Sequence, residues 1–385
     1  MIGAQLIQDV LSAWGSAVRA QPAVADISFF FASPSLGGSE RVHVGIVAAV
    51  ADLHPAVFFT EIGRDEALLP EFEQSARVFN LAPEVQSRFG FYTRLGAIAK
   101  AINQRPSPVV VGSYSFFFIR LVRRLAAHVR CIDVVHNFGT KYERGSLECA
   151  GRVNARVAVN HQTKADMAAL YRECGFPEEL NDRVRVIENC CAVPPVPPAK
   201  PVGEFKVLFV ARGAPEKRVH LAGQVASRCK ACGINASFTL VGELEPWVRA
   251  EDKANCRFAG KISDAAELAG LYSQSHALLL TSEREGFPLV VMEAMAHGCV
   301  PLCADVGGIR ERVKHEVNGM LFEPSNETAL VERLADAVAL LAANRARFEQ
   351  LSRAAFDTAD RHFRPERFAA EYRALLTARS ETGRA

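Results

Sequence analysis

Between Ser282 and Val306 the chain reads SEREGFPLVVMEAMAHGCVPLCADV, and two carboxylates, Glu285 and Glu293, stand eight positions apart in a largely apolar run. A buried carboxylate is costly without donors, so Glu293 amid Val290, Val291, Met292, Ala294 and Met295 calls for partners such as the hydroxyls of a ribose or sugar. The competing reading is a Glu on the solvated face of a helix. Pro288 suits a first helical turn, so the backbone from Gly286 through Phe287 and Pro288 to Leu289 would offer N–H groups at a helix N-terminus, where a phosphate binds well. A second cluster, ARGAPEKR, follows the apolar run KVLFV. Arg212 and Lys217 would then sit where two cations can meet a diphosphate whose leaving-group charge grows in the transition state. Loop cations of this kind also occur simply as solvated charges.

Nearer the start, SPSLGGSE places Gly37 and Gly38 ahead of a helical pattern, which permits close backbone approach to a ligand, although the spacing is not GxGxxG. His136 ends the apolar run in DVVHNFG, where a neutral imidazole can bond a sugar hydroxyl or serve a structural contact. Asn160 fits a helix N-cap and is given no chemistry.

These residues need elements to hold them. Apolar runs at 26–32, 56–60, 108–112, 130–136, 156–160 and 183–188 alternate with helical patterns, and the alternation restarts with 206–211, 237–241, 256–259, 276–282, 300–304 and 319–322. Continuous apolar strands separated by amphipathic helices imply parallel sheets covered on both faces. Between Pro194 and Pro201 five prolines fall within eight residues, which reads as a stiff linker. The expected architecture is α/β: two doubly wound Rossmann-like domains, 1–195 and 196–362, with the site in a cleft at the carboxyl ends of the strands. Residues 2–18 carry apolar positions at helical spacing and read as a packed helix. Residues 116–130 interleave Phe, Ile and Leu with Arg120, Arg123, Arg124 and Arg130, either a buried helix with a solvated arginine edge or a surface for anionic membrane.

Composition excludes several classes. The chain has 385 residues, 49% apolar and 23% charged, so it can bury a large core and is not mainly disordered. Lys and Arg number 45 against 43 Asp and Glu, a net +2, too balanced for nucleic acid to be the main partner. No run approaches the roughly 20 apolar residues of a membrane span. The N-terminus lacks a basic n-region and Asp9 interrupts its apolar stretch, so the expected location is the cytoplasm. Ten dispersed cysteines read as reduced thiols, and one CxxC, Cys229 with Cys232, lacks the further ligands of a zinc site.

Taken together, GGSER, the strand-end His136, Arg212 with Lys217, VGE at 241–243, FAGKIS at 258–263, Glu285-x7-Glu293 within EGFPLVVMEAMAHGCVP, and ADVGGIRE at 304–311 resemble glycosyltransferase family 4, retaining enzymes of the GT-B architecture. The likeness spans most of the chain, and residues 363–385 resemble the helix and tail that cross back to the first domain. The resemblance implies that Arg212 and Lys217 hold a donor diphosphate with help from the backbone at 286–289, and that Glu293 binds the nucleotide ribose. It further implies that Glu285 contacts or orients the transferred sugar, that His136 faces the sugar near the scissile bond, that Gly37 and Gly38 approach phosphate and acceptor, and that Lys261 and Ile262 border the base. Two departures stand out: Lys217-Arg218 where the family has Lys-Gly, and Asn189-Cys190-Cys191-Ala192 where it has Asn-Gly-Val-Asp.

The expected activity is retaining transfer of a sugar from a nucleoside-diphosphate sugar to a glycan or lipid-linked acceptor in envelope polysaccharide or glycolipid assembly. No DxD is present, so cations and a helix dipole would neutralise the diphosphate without a metal or other cofactor. Two rivals share the scaffold: a sugar-nucleotide epimerase and a non-catalytic sugar-nucleotide-binding subunit. A dehydrogenase is disfavoured because neither first βα turn carries GxGxxG.

Overall fold

The computed structural model describes residues 23–378; the helix expected at 2–18 lies outside them. The described chain divides into two units, one comprising 23–158, 166–185 and 369–378, the other 159–165 and 186–368.

The first unit is a seven-stranded sheet ordered β3-β2-β1-β4-β5-β6-β7. Its strands are β1 (Ile27–Phe31), β2 (Ala56–Phe59), β3 (Arg77–Asn80), β4 (Val109–Ser113), β5 (Arg130–Val135), β6 (Ala155–Ala158) and β7 (Val184–Val186). From β3 to β6 every neighbour pairs in parallel. Strands β1, β2 and β4 are buried along their whole length, as the unbroken apolar runs require. Phe30 stacks on Phe58 at 4.9 Å and on Phe117 at 6.0 Å, which knits the sheet to the helix Phe116–Val122. That helix stops at Val122, and Arg130 opens β5, so the expected 116–130 stretch is one short helix and a turn. Arg120 and Arg123 both pair with Glu148, and the Arg130 guanidinium donates to the carbonyls of Leu375 and Ala378. Beneath the sheet end, the buried ion pair Arg156–Asp133 (2.8 Å) is completed by the hydroxyls of Tyr142, Tyr171 and Ser146. A buried charge is tolerable only when satisfied in this way.

The second unit is a fully parallel six-stranded sheet ordered β10-β9-β8-β11-β12-β13. It comprises β8 (Phe205–Val210), β9 (Ala236–Val241), β10 (Arg257–Gly260), β11 (Ala277–Leu280), β12 (Val300–Ala304) and β13 (Met320–Phe322). Its core extends from these strands to the helices Val219–Ala231, Leu289–Ala296, Glu327–Ala343 and Arg345–His362.

Twelve strands fall where the apolar runs place them. The exception, β3, is RVFN at the sheet edge, exposed at both ends and half-buried between, so it lacks an apolar run. The chain leaves the first unit after Arg185, ahead of the proline-rich segment, and that segment belongs to the second unit. Lys200 donates to the carbonyls of Tyr272 and Ser273, and the Pro201 carbonyl bonds the His276 ring, so the end of the proline-rich segment is fastened to the second unit. The terminal helix Pro365–Thr377 rejoins the first unit from Ala369, where Arg373 clasps Asp52 at 2.6 Å. All ten cysteines are free thiols.

Candidate functional site

In the second unit the loops at the carboxyl ends of β8, β11 and β12 are tied together by short contacts. After β8 the chain passes Arg212 and makes a tight turn over Pro215–Lys217. Lys217 Nζ lies 2.7 Å from Glu285 Oε1, with the Glu285 side chain almost fully buried. Two motifs 68 residues apart therefore meet in one ion pair. Arg212 extends toward solvent and pairs with Glu216 at 3.2 Å, while the Glu216 carbonyl accepts from the Glu283 N–H. The Thr281 hydroxyl donates to the carbonyls of Lys217 and Arg218.

The helix after this loop runs Leu289–Ala296, with Pro288 as its N-cap, one residue earlier than the first turn expected of it. Leu289 packs partly on the core, and Phe287 is buried against Phe363 at 5.5 Å. The Phe287 side chain is therefore committed to the core, which leaves only its backbone for the ligand contact expected of it. Gly307 and Gly308 lie under the same loop. The Gly308 N–H donates to the Gly286 carbonyl at 2.8 Å, and a Cβ on Gly307, whose φ is +56°, would fall 1.7 Å from the Glu285 carbonyl oxygen. Glu293 is half-buried and accepts from the Tyr272 hydroxyl at 2.9 Å. It is thus not on a solvated helix face, and the phenol supplies part of the partnership that the apolar context demanded. After β10, Lys261 is exposed, and Ile262 packs on the core.

Arg218 was read from sequence only as a departure, and the structure makes it part of the site's frame. Its backbone is left-handed (φ 44°, ψ 48°), where glycine is favoured. Its guanidinium donates to the carbonyls of Thr281 (2.7 Å), Ser282 (3.3 Å) and Pro324 (3.1 Å). No spacing rule signals this contact. The signal is the mismatch of a large residue at a glycine position.

In the first unit Gly37 precedes the helix Gly38–Ala48, and its φ of −165° is extended backbone that any residue adopts. A Cβ on Gly38 would meet nothing within 4 Å, so packing within this chain does not require that glycine. The same helix carries His43, whose Nε2 lies 2.8 Å from Nε2 of His136 at the end of β5. Burial holds both rings neutral, with His136 pushed down to about 3 and His43 well below its ordinary value. Tyr114, at φ 50°, stacks on His136 at 5.8 Å and donates its hydroxyl to Asn137 Oδ1. Neither His43 nor Tyr114 was singled out from sequence, because a lone His on a helix and a lone Tyr after a strand carry no motif. Asn160 caps its helix as expected, accepting from the Thr163 N–H at 2.6 Å. Among the described residues no three His, Cys, Asp or Glu side chains gather as a metal site, and no helix is long and apolar enough to cross a membrane.

Two doubly wound parallel sheets, with cations and carboxylates gathered at the strand ends of the second, make up an α/β fold of the GT-B class. The second unit carries a group 1 glycosyltransferase domain: residues 195–354 match the family model of that description. Among curated relatives, N-acetyl-alpha-D-glucosaminyl L-malate synthase of Bacillus anthracis is 33% identical over 29% of this chain and 28% of its own length. The O-antigen biosynthesis glycosyltransferase WbnH of Escherichia coli is 25% identical over 69% of this chain and 77% of its own. The first of these alignments thus spans under a third of the relative it matches. Among solved structures, Anabaena Alr3699/HepE in complex with UDP superposes with a TM-score of 0.72 at 19% identity, covering 91% of this chain and 99% of that one. That likeness bears on the fold.

Proposed function

We propose that this protein is a retaining glycosyltransferase that moves a sugar from a nucleoside-diphosphate sugar to a glycan or lipid-linked acceptor in cell-envelope polysaccharide or glycolipid assembly. The observation that carries the reading is the Lys217–Glu285 pair beside the N-terminus of the helix Leu289–Ala296, with Arg212 on the same β8 loop. A diphosphate leaving group builds negative charge as the glycosidic bond breaks. Arg212, Lys217 and the helix N-terminus neutralise it in place of a metal. Glu285 orients Lys217 and contacts the transferred sugar, and Glu293 takes the ribose hydroxyls with Tyr272 steadying its carboxylate. Retention follows when departure and attack share one face and the leaving oxygen takes the acceptor's proton. A trapped glycosyl-enzyme adduct overturns that step.

The Anabaena relative holds UDP, so UDP heads the test panel. Binding to the native state raises unfolding free energy by RT ln(1 + [L]/Kd), about 2.7 kcal/mol at a hundredfold excess over Kd. The expected result is that one of UDP, GDP, ADP, dTDP or CMP raises Tm without added metal and in EDTA, and that Glu293→Ala abolishes the rise. No rise with any of them removes the reading. On the surface, Arg120, Arg123 and Arg124 with exposed Phe116, Phe89 and Tyr92 support peripheral contact with anionic membrane at its cytoplasmic face. Sedimentation with phosphatidylglycerol vesicles, lost in 0.5 M salt and in Arg120→Glu/Arg124→Glu, is the check. Absence of co-sedimentation at low salt counts against it.

A further inference from the structure

His43 and His136 form a buried pair whose chemistry is more constrained than either ring alone. At 2.8 Å between the two Nε2 atoms, one imidazole must carry its proton on Nε2 and the other must present a bare Nε2, with its own proton on Nδ1. Both Nδ1 atoms are buried and without a partner in the protein. One is therefore an orphan N–H and the other an orphan lone pair. The rings are held from both sides: His43 lies flat on Phe31 (4.0 Å, 3° between planes), and Tyr114 stacks on His136. Neither can turn to trade partners without unstacking.

The direction of the bond follows from where each orphan is less costly. An unpaired buried N–H is rarer in proteins than an under-used acceptor. His43 is the more enclosed residue, 2% exposed against 8% for His136, which follows β5 directly. We infer that His43 is a positioning residue for His136: it donates its Nε2–H to His136 Nε2, so that His136 is locked as the Nδ1–H tautomer and offers that N–H to an oxygen of the sugar ligand. The orphan lone pair then belongs to His43 on the helix Gly38–Ala48, and the orphan N–H to His136, the less enclosed of the two residues. A ring without the lock divides its population between tautomers, only one of which is a donor at Nδ1.

The sugar in this inference rests on the transferase reading, whereas the N–H···N bond does not, and the test separates them. In protein labelled with 15N-histidine, the expected spectrum shows His43 protonated at Nε2, His136 protonated at Nδ1, and a two-bond coupling between the two Nε2 nuclei. Assignment comes from His43→Gln and His136→Gln. Two Nε2–H rings, or the reverse pair of tautomers, overturns the inference whatever the enzyme does. With a turned-over sugar donor of the nucleotide that thermal shift identifies, His43→Leu is expected to lower kcat by about tenfold with donor KM within about twofold. His43→Gln, whose side-chain amide can donate from nearly the same place, is expected to restore most of it. In a His136→Ala background His43→Leu should add no further loss. Full activity in His43→Leu, or an additive loss in the double variant, overturns the positioning role. Circular dichroism and Tm of each variant keep misfolding apart from it, since His43→Gln retains the bond under test. Failure to turn over any donor sinks the transferase reading and leaves the tautomer result standing.

Discussion

Arg218 sets the terms at the scale of single residues. A side chain in the left-handed region costs about 1–2 kcal/mol that glycine does not. Three bonds from a charged guanidinium to the carbonyls of Thr281, Ser282 and Pro324 offset that cost and fix the loop that delivers Glu285. Arg218→Gly relieves the backbone but strands those carbonyls, and Arg218→Ala strands them and keeps the strain. The expected order of stability in denaturant unfolding is wild type, then glycine, then alanine, the last two about 1 kcal/mol apart. Alanine at or above glycine would show that the left-handed turn carries no strain. Both variants should lose most of the nucleotide-induced rise in Tm, because Lys217 and Glu285 sit on the two loops that Arg218 joins.

A buried strand is written into its own residues, whereas a contact between loops is not. Runs such as ISFFF and VVVGS declare a buried strand because every residue must find apolar neighbours, and they fold so. β3 was silent because an edge strand need bury only part of itself. Lys217 and Glu285 were legible as candidate residues from local context, but their contact was not, since it depends on how β8 and β11 lie side by side. His43 was illegible for the same reason: its partner lies 93 residues away. Element geometry also separates two kinds of glycine. Gly307→Ala drives a methyl into the Glu285 carbonyl and strains a positive φ, so it should cost several kcal/mol and the nucleotide response together. Gly38→Ala meets open space at a helix start and should leave unfolding unchanged within about 0.5 kcal/mol. If a ligand fills that space, catalytic turnover falls in this stable variant. Unimpaired turnover would assign Gly38 no ligand.

For the whole molecule, balanced charge makes pH act through particular buried groups and not through general repulsion. His43 and His136 are held neutral in the fold by burial, the latter down to about 3, while in the unfolded chain both titrate near 6.5. Between those values the unfolded state binds more protons, so stability rises with pH. The contribution is complete above about pH 6.5 and is lost as pH falls toward 3. From pH 7 to pH 5 His136 should lose about 2 kcal/mol of its contribution, and His43 acts in the same direction. His276, His297 and His362 are lowered too, burial being the main cause in each, and they act in the same direction. Subtraction isolates the pair. Unfolding free energies of wild type and His43→Leu, measured by calorimetry across pH 7 to 5, should converge toward the acid end, because the variant takes up one proton fewer on unfolding. Parallel curves would mean that His43 takes up no proton on unfolding over this range, against a ring that burial holds neutral in the fold.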